Sequence, residues 1–198
     1  MKVLGIGGSP RSNSNSHALL EAILEGAEQA GCETQAVHLK EYAFSACIGC
    51  EQCRKDKSCT GLKDGMSLVY PEIEAAGGLV LATPVHFYNL SALMKSFIDR
   101  LYCYFDFDME ARPREWSSRL ADQGRMAIVA AVAEQASKQD MGFAVPAMSH
   151  PLQSLGYSVS YEIPVFGLFD RGRLKQCPDI LEHGRDKGHA LGQALVAK

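Results

Sequence analysis

The first twenty residues, MKVLGIGGSPRSNSNSHALL, constrain this chain more than any other stretch. Val3, Leu4 and Ile6 form a short apolar run that reads as a buried strand. It breaks at Gly7-Gly8-Ser9-Pro10, and a helix-period pattern starts near His17. Between strand and helix lie Ser9, Arg11, Ser12, Asn13, Ser14, Asn15 and Ser16, a set of hydroxyls, amides and one guanidinium. A helix N-terminus presents unpaired N–H groups and a partial positive charge, so it suits an anion. Hydroxyls close around a phosphate, and Arg11 can bond it bidentately. The loop therefore reads as a phosphate cradle, with a cap-rich βα turn as the plainer alternative.

Two commoner phosphate loops are excluded. A Walker loop ends in Gly-Lys-Ser/Thr, and this stretch has no lysine at that place. The dinucleotide fingerprint needs its third glycine where Pro10 stands. A hydroxyl-lined cradle after the first strand suits a terminal monophosphate such as that of FMN.

The rest of the chain alternates. His17–Ala30 carries Leu19, Leu20, Ile23, Leu24 and Ala27 at helical spacing, and Gly31 follows as a C-cap. Thr34–Leu39 reads as a second strand, Asp64–Ala76 as a helix whose start Pro71 displaces, and Leu79–Thr83 as a doubly covered strand. Thr83–Asn89 is expected as a loop and Ser91–Tyr102 as the helix after it. Asp106–Gln123, with the one tryptophan Trp116, reads as an irregular excursion or subunit contact. Met126–Val132 is a fourth strand, Gln139–Leu155 an expected helix, Tyr157–Val165 a fifth strand and Pro178–Val196 a closing helix.

Strands alternating with helices imply a parallel sheet covered on both faces, joined by right-handed crossovers. The expected fold is α/β, a flavodoxin-like three-layer sandwich with a five-stranded parallel sheet in the order 2-1-3-4-5. At 198 residues it is expected as one domain, 1–198, with a cysteine-rich loop at 44–61 and an irregular insertion at 103–124. In that order ligands sit at the carboxyl ends of strands 1 and 3, which brings the first loop and Thr83–Asn89 together. Pro84, Val85, His86, Phe87, Tyr88 and Asn89 would then border a flat ring, with backbone N–H groups on its polar edge and side chains on its face. Phe87 and Tyr88 packing on the next helix is the alternative, and His86 reads as a rim residue. No acid–base catalyst is assigned.

The third feature is Cys47, Cys50, Cys53 and Cys59, spaced C-x2-C-x2-C-x5-C inside the aperiodic stretch Phe44–Gly61. Thiolates at this spacing can wrap one inorganic cluster, and four are the usual ligation of [4Fe–4S]. Zinc is the rival, although its all-thiolate sites usually come as two separated C-x2-C pairs. A thiol/disulfide device and a metal-free packed loop are further readings. Cys32, Cys103 and Cys177 are isolated and read as core residues.

The net charge of −3 argues against nucleic acid or an acidic membrane as partner. No stretch is apolar and long enough to span a bilayer, and the chain enters a strand without a signal peptide. Seven cysteines suit a reducing cytosol, so a cytoplasmic protein is expected.

Together, Gly8-Ser9-Pro10-Arg11 with Asn15-Ser16, the four clustered cysteines, and Thr83-Pro84-Val85-His86-Phe87-Tyr88-Asn89 resemble the iron–sulfur flavoprotein branch of the NADPH-dependent FMN reductase family. Ser91-Ala92 through Lys95 and Asp99-Arg100 extend the resemblance, which covers roughly the first half of the chain. It implies FMN, with phosphate at Ser9, Arg11, Asn15 and Ser16 and the ring beside Pro84–Asn89. It also implies a homodimer or homotetramer with the cysteine loop near a subunit interface and a flavin. The chain departs from the family's pattern where Ala130–Gln135 lacks a glycine-rich loop and where Asp64-Gly65-Met66 replaces Asp-Asp-Met.

The expected function is an FMN-dependent oxidoreductase taking electrons from NADPH or NADH. Its acceptor would be a quinone, a free flavin or another small molecule, with a [4Fe–4S] cluster passing single electrons onward. An electron carrier accepting from ferredoxin is the second reading, and a zinc-stabilised binding module the third.

Overall fold

The computed structural model describes residues 1–197. Its strands are β1 (Lys2–Gly7), β2 (Glu33–His38), β3 (Gly78–His86), β4 (Asn89–Leu90), β5 (Phe105–Phe107), β6 (Trp116–Ser118), β7 (Met126–Val132) and β8 (Ser158–Val165). The α-helices are α1 (Asn15–Gln29), α2 (Gln52–Asp56), α3 (Met66–Ala75), α4 (Ala92–Arg100), α5 (Pro146–Ser154) and α6 (Pro178–Val196). The five long strands lie parallel in the order β2-β1-β3-β7-β8, which is the expected 2-1-3-4-5. The short β4 folds back antiparallel on the end of β3.

Central strands are covered on both faces, and the core is accordingly split in two. Leu4, Leu79, Leu81 and Val129 pack with Met94 and Phe97 on one face; Val3, Val80, Ala82 and Ile128 pack with Leu19, Leu20, Ile23, Leu191 and Leu195 on the other. Burial of these side chains removes the apolar area that drives folding. On the second face α1 and α6 approach closely at Gly188, where an added Cβ would collide with the Ile23 carbonyl. No helix among the described residues is long and apolar enough to cross a membrane.

Several boundaries differ from expectation. Helix α1 starts two residues early because Ser14 caps it, its Oγ accepting from the His17 N–H at 3.1 Å. Strand β3 runs through Thr83 to His86, so the expected Thr83–Asn89 loop is a hairpin with only Phe87 and Tyr88 at its turn. The expected Gln139–Leu155 helix begins only at Pro146, after Gly142 turns with φ +53. Inside Phe44–Gly61 stands the five-residue α2, and the expected irregular excursion 106–123 includes the β5–β6 hairpin. The helix expected over Ser91–Tyr102 ends at Arg100 and continues as a 3₁₀ turn, Leu101–Tyr104.

Candidate functional site

The carboxyl ends of β1 and β3 lie side by side, with Gly7 paired to Ala82 and the Gly8 N–H donating to the Ala82 carbonyl at 2.8 Å. The Ser91 hydroxyl donates to the Gly8 carbonyl and accepts from the Met94 N–H, and the Ser91 N–H donates to Thr83 Oγ1 at 3.1 Å. This chain of bonds locks the first crossover against the start of α4.

One cavity opens there. Ser9, Arg11, Ser14, Asn15, Ser16, Pro84, Val85 and His86 line it, so the structure brings together residues from both expected loops. Phe87 and Tyr88 border an adjoining recess with Val85, Ala133, Glu134, Gln135 and Asp140. Asn89 lies on the other side, in a shallow cleft with His86, Leu90, Ala92 and Lys95.

The individual roles are uneven. Ser9 and Ser16 are buried at the mouth of α1, and Ser9 Oγ accepts from the Arg11 N–H at 3.2 Å. Arg11 itself is exposed and its guanidinium is free to swing onto an anion. Asn15 is committed elsewhere: its Nδ2 donates to the carbonyls of Leu168 (3.3 Å) and Asp170 (2.9 Å), and its Oδ1 accepts from the Leu174 N–H (3.0 Å). Its side chain thus shapes the cavity by holding the segment after β8 in place.

That segment supplies residues the sequence reasoning missed. Leu168, Phe169 and Arg171 line the same cavity, as do Val132 and Glu134 after β7. Arg171 adds a second guanidinium to the lining, and Glu134 adds a carboxylate that also borders the Phe87–Tyr88 recess. The signal available was slight: Gly167 and Gly172, both at positive φ, bracket a short loop at a strand's carboxyl end.

Phe87 and Tyr88 occupy the hairpin turn with φ +46 and +65, a region that bulky side chains rarely adopt. Phe87 is 96% exposed. The Tyr88 carbonyl accepts from the Phe143 N–H at 2.8 Å, which ties this turn to the loop before α5. Neither ring is part of the buried core.

Beneath the cradle, His17 is buried with its ring 4.2 Å from that of His38, and the Gly7 backbone leaves no room for a Cβ between them. Burial, reinforced by the charges of His38 and Lys40, lowers the His17 pKa to about 4.

A second cavity, of about 390 Å³, is lined by Cys47, Cys50, Cys53 and Cys59 together with Arg54, Gly61, Asp99, Arg100 and Tyr102. Left-handed turns at Gly49, Glu51 and Lys57 wrap the loop around it. The Cys50 sulfur sits against Gly61, where an added Cβ would collide with it. Burial, then the mutual repulsion of the other three thiolates, raises the Cys53 pKa. Among the described residues no group of three or more His, Cys, Asp or Glu is placed so that it could hold a metal ion. Arg100 anchors the loop, donating from Nη1 to the Ser45 carbonyl (2.8 Å) and to Asp64 Oδ2 (2.7 Å), and from Nη2 to Asp64 Oδ1 (3.1 Å). Cys32 and Cys103 are buried, as expected of core residues, whereas Cys177 is half-buried.

Comparison with known proteins bears on both cavities. The family model for NADPH-dependent FMN reductase matches residues 1–153. An iron-sulfur flavoprotein of Archaeoglobus fulgidus is 36% identical over 104 residues, covering 52% of this chain and 47% of that protein. One of Methanosarcina thermophila is 36% identical over 100 residues, covering 50% and 52%. The chain therefore spans about half the length of the curated relatives it matches. Among solved structures, an FMN-dependent NADH-azoreductase from Bacillus anthracis in complex with FMN superposes with a TM-score of 0.70 at 16% identity, covering 97% of this chain and 100% of that one. An NAD(P)H:quinone oxidoreductase from Methanothermobacter marburgensis gives 0.65 at 19% identity, covering 96% of each chain. At these identities the superpositions speak for the fold alone. The chain belongs to the NADPH-dependent FMN reductase family, and the curated relatives it matches over about half its length are named iron-sulfur flavoproteins.

Proposed function

We propose that this chain is an FMN-dependent oxidoreductase that takes electrons from NADPH or NADH and hands them to a small acceptor such as a quinone or a free flavin. The observation that carries this reading is the cavity shared by the β1–α1 and β3–β4 loops, lined by buried hydroxyls and two guanidiniums and adjoined by a recess that Phe87 and Tyr88 border. Buried hydroxyls, the first-turn amides of α1 and two guanidiniums form a donor set suited to a phosphate monoester. Pro84, Val85, His86 and Leu168 form a wall suited to a flat ring. FMN, when bound, supplies the redox chemistry; the protein holds it, excludes competing reactions and tunes it. Ser9, Arg11, Ser14, Ser16 and Arg171 are assigned to the phosphate, with Asn15 positioning the loop that carries Arg171. Pro84–Asn89 are assigned to the ring and its rim. Phe87 and Tyr88 offer rings to a planar substrate without the aid of a general acid or base.

The cysteine cavity is assigned to an iron–sulfur cluster because four soft donors at the spacing C-x2-C-x2-C-x5-C line it. Cys47, Cys50, Cys53 and Cys59 are the proposed ligands of a [4Fe–4S] cluster, which would exchange single electrons with a partner such as ferredoxin. The proposed assembly is a homodimer or homotetramer in the cytosol.

An ultraviolet–visible spectrum of anaerobically purified protein, with iron and sulfide assays, tests both centres. Flavin bands that bleach with NADPH or NADH support the reductase. Bleaching by reduced ferredoxin alone turns the reading into an electron carrier. A colourless, flavin-free protein after FMN supplementation overturns it.

A further inference from the structure

The recess that adjoins the candidate flavin cavity carries charge of one sign. Glu134 and Asp140 line it together with Phe87 and Tyr88, and Gln135 is the other polar side chain on its wall. Glu134 is exposed and Asp140 half-buried, and neither carboxylate has an ion-pair or hydrogen-bond partner among the described residues. The nearby cations stand elsewhere. Lys138 shares the 3₁₀ turn Lys138–Met141 with Asp140 without lining the recess, and His86 and Lys95 line the separate cleft by Asn89. Arg11 and Arg171 line the cavity and are assigned to the phosphate of FMN, whose charge of roughly −2 offsets both. The two carboxylates are then the uncompensated charge of the recess. The aromatic turn works in the same direction. Phe87 and Tyr88 meet edge to face with centroids 5.8 Å apart, and both are exposed, so ring faces are open to a ligand. An aromatic face attracts a cation, as a carboxylate does.

We infer that this recess selects planar electron acceptors that carry a positive charge, with Glu134 and Asp140 as the residues that determine the preference. This rests on the flavin reductase reading of the preceding section. Two carboxylates without counter-ions attract a cation and repel an anion, and near the surface each acts through a high effective dielectric. Each therefore contributes a several-fold preference and not an absolute gate. Glu134 lies in Ala130–Gln135, a stretch without glycine, so that a charged side chain and not bare backbone meets the acceptor. Net turnover moves a hydride from the nicotinamide carbon of NADPH or NADH to the acceptor. That C–H bond breaks, an N–H or C–H bond forms on the acceptor, and FMN ends as it began. The acceptor cation becomes neutral, while the nicotinamide takes up the positive charge. The reduced product thereby loses its attraction to both carboxylates and leaves, and the next oxidised molecule is drawn in. An anionic acceptor meets repulsion on entry.

The FMN-loaded full chain tests this with flat acceptors of different charge. Methylene blue is a cation whose hydride adduct is neutral, menadione is a neutral quinone, and a naphthoquinone sulfonate is an anion. For the dye relative to menadione, kcat/KM is expected to fall about 3-fold in Glu134→Gln or Asp140→Asn and about 10-fold in the double variant. The sulfonate is expected to gain relative to menadione in the same proteins. Without NADPH or NADH the dye cannot turn over, and its binding to the oxidised protein, read from a difference spectrum, is expected to weaken by the same factors. In wild-type protein the dye's advantage should shrink at high ionic strength, a measurement that needs no variant to fold. Acceptor ratios and dye affinity that ignore both substitutions, or a wild-type dye preference untouched by salt, overturn the inference and leave the reductase reading intact. Wild-type protein that takes up no FMN, or reduces none of these acceptors, removes the reductase reading and this inference with it.

Discussion

Asn15 and Leu174 are 159 residues apart and joined by a hydrogen bond, the Leu174 N–H donating to the Asn15 Oδ1 at 3.0 Å. With the two carbonyls that Asn15 Nδ2 binds, one buried amide fastens the segment after β8 to the first turn of α1. An Asn15→Ala protein leaves those backbone groups unpaired, at roughly 1–3 kcal/mol for each that water does not reach. We expect a loss of about 2–4 kcal/mol in urea unfolding. FMN affinity should fall as well, since Arg171 loses its placement. Full stability together with unchanged FMN titration would remove the anchoring role.

Arg11 offers the opposite case, an exposed side chain whose guanidinium makes no hydrogen bond or ion pair among the described residues. Arg11→Ala should unfold like wild type. If its guanidinium closes on the phosphate, a charge-assisted bond of about 1.5–3 kcal/mol is lost, which weakens FMN binding by about 10- to 100-fold. Flavin fluorescence quenching measures this directly. Riboflavin, which has no phosphate, should bind both proteins equally; a parallel loss for riboflavin would contradict the assignment.

His17 gives the fold a dependence on acid. Its folded pKa, about 4, lies below the 6.5 of an unburied histidine, so the folded chain binds fewer protons than the unfolded chain between those limits. Stability is therefore present in full above pH 6.5 and declines as the pH falls toward 4, by at most about 1.4 kcal/mol per pH unit. In His17→Gln protein, the profile from denaturant midpoints should flatten across this window. An unchanged slope would mean that other groups carry the acid response.

The Phe87–Tyr88 turn stores backbone strain of roughly 1–3 kcal/mol per residue at positive φ. A Phe87→Asn/Tyr88→Gly double variant suits a two-residue hairpin, and thermal or chemical unfolding should show it more stable by about 1 kcal/mol or more. Turnover of a quinone acceptor should fall in the same protein, because the rings facing the recess are gone. Gain of stability without loss of kcat/KM would deny these rings a part in substrate handling.

What the sequence disclosed divides along physical lines. Strand β7, Met126–Val132, and helix α6, Pro178–Val196, have the bounds read from sequence, because each is a periodic or apolar run with punctuation at its ends. The joining of Ser9, Arg11 and Ser16 to Pro84–His86 was also legible, since strand order dictates which ends are neighbours. Arg171 and Phe169 were not. Their loop is held at the cavity by Asn15 and by the Gly167 and Leu168 N–H bonds to the Gln135 and Ala133 carbonyls, all contacts distant in sequence, and no local pattern encodes them. The strand content of Pro84–His86 was hidden by Pro84 and by a turn that places aromatic residues where glycine or asparagine is usual.

Helix α4 touches both regions. Its cap, Ser91, is bonded to Gly8 at the phosphate-cradle end, and its last residue, Arg100, stands in the wall of the cysteine chamber. Nine helical residues form a stiff rod of about 13 Å. The walls of the two chambers are thus joined by one hydrogen-bonded rod, so that displacing its cap at Gly8 and displacing Arg100 are not independent events.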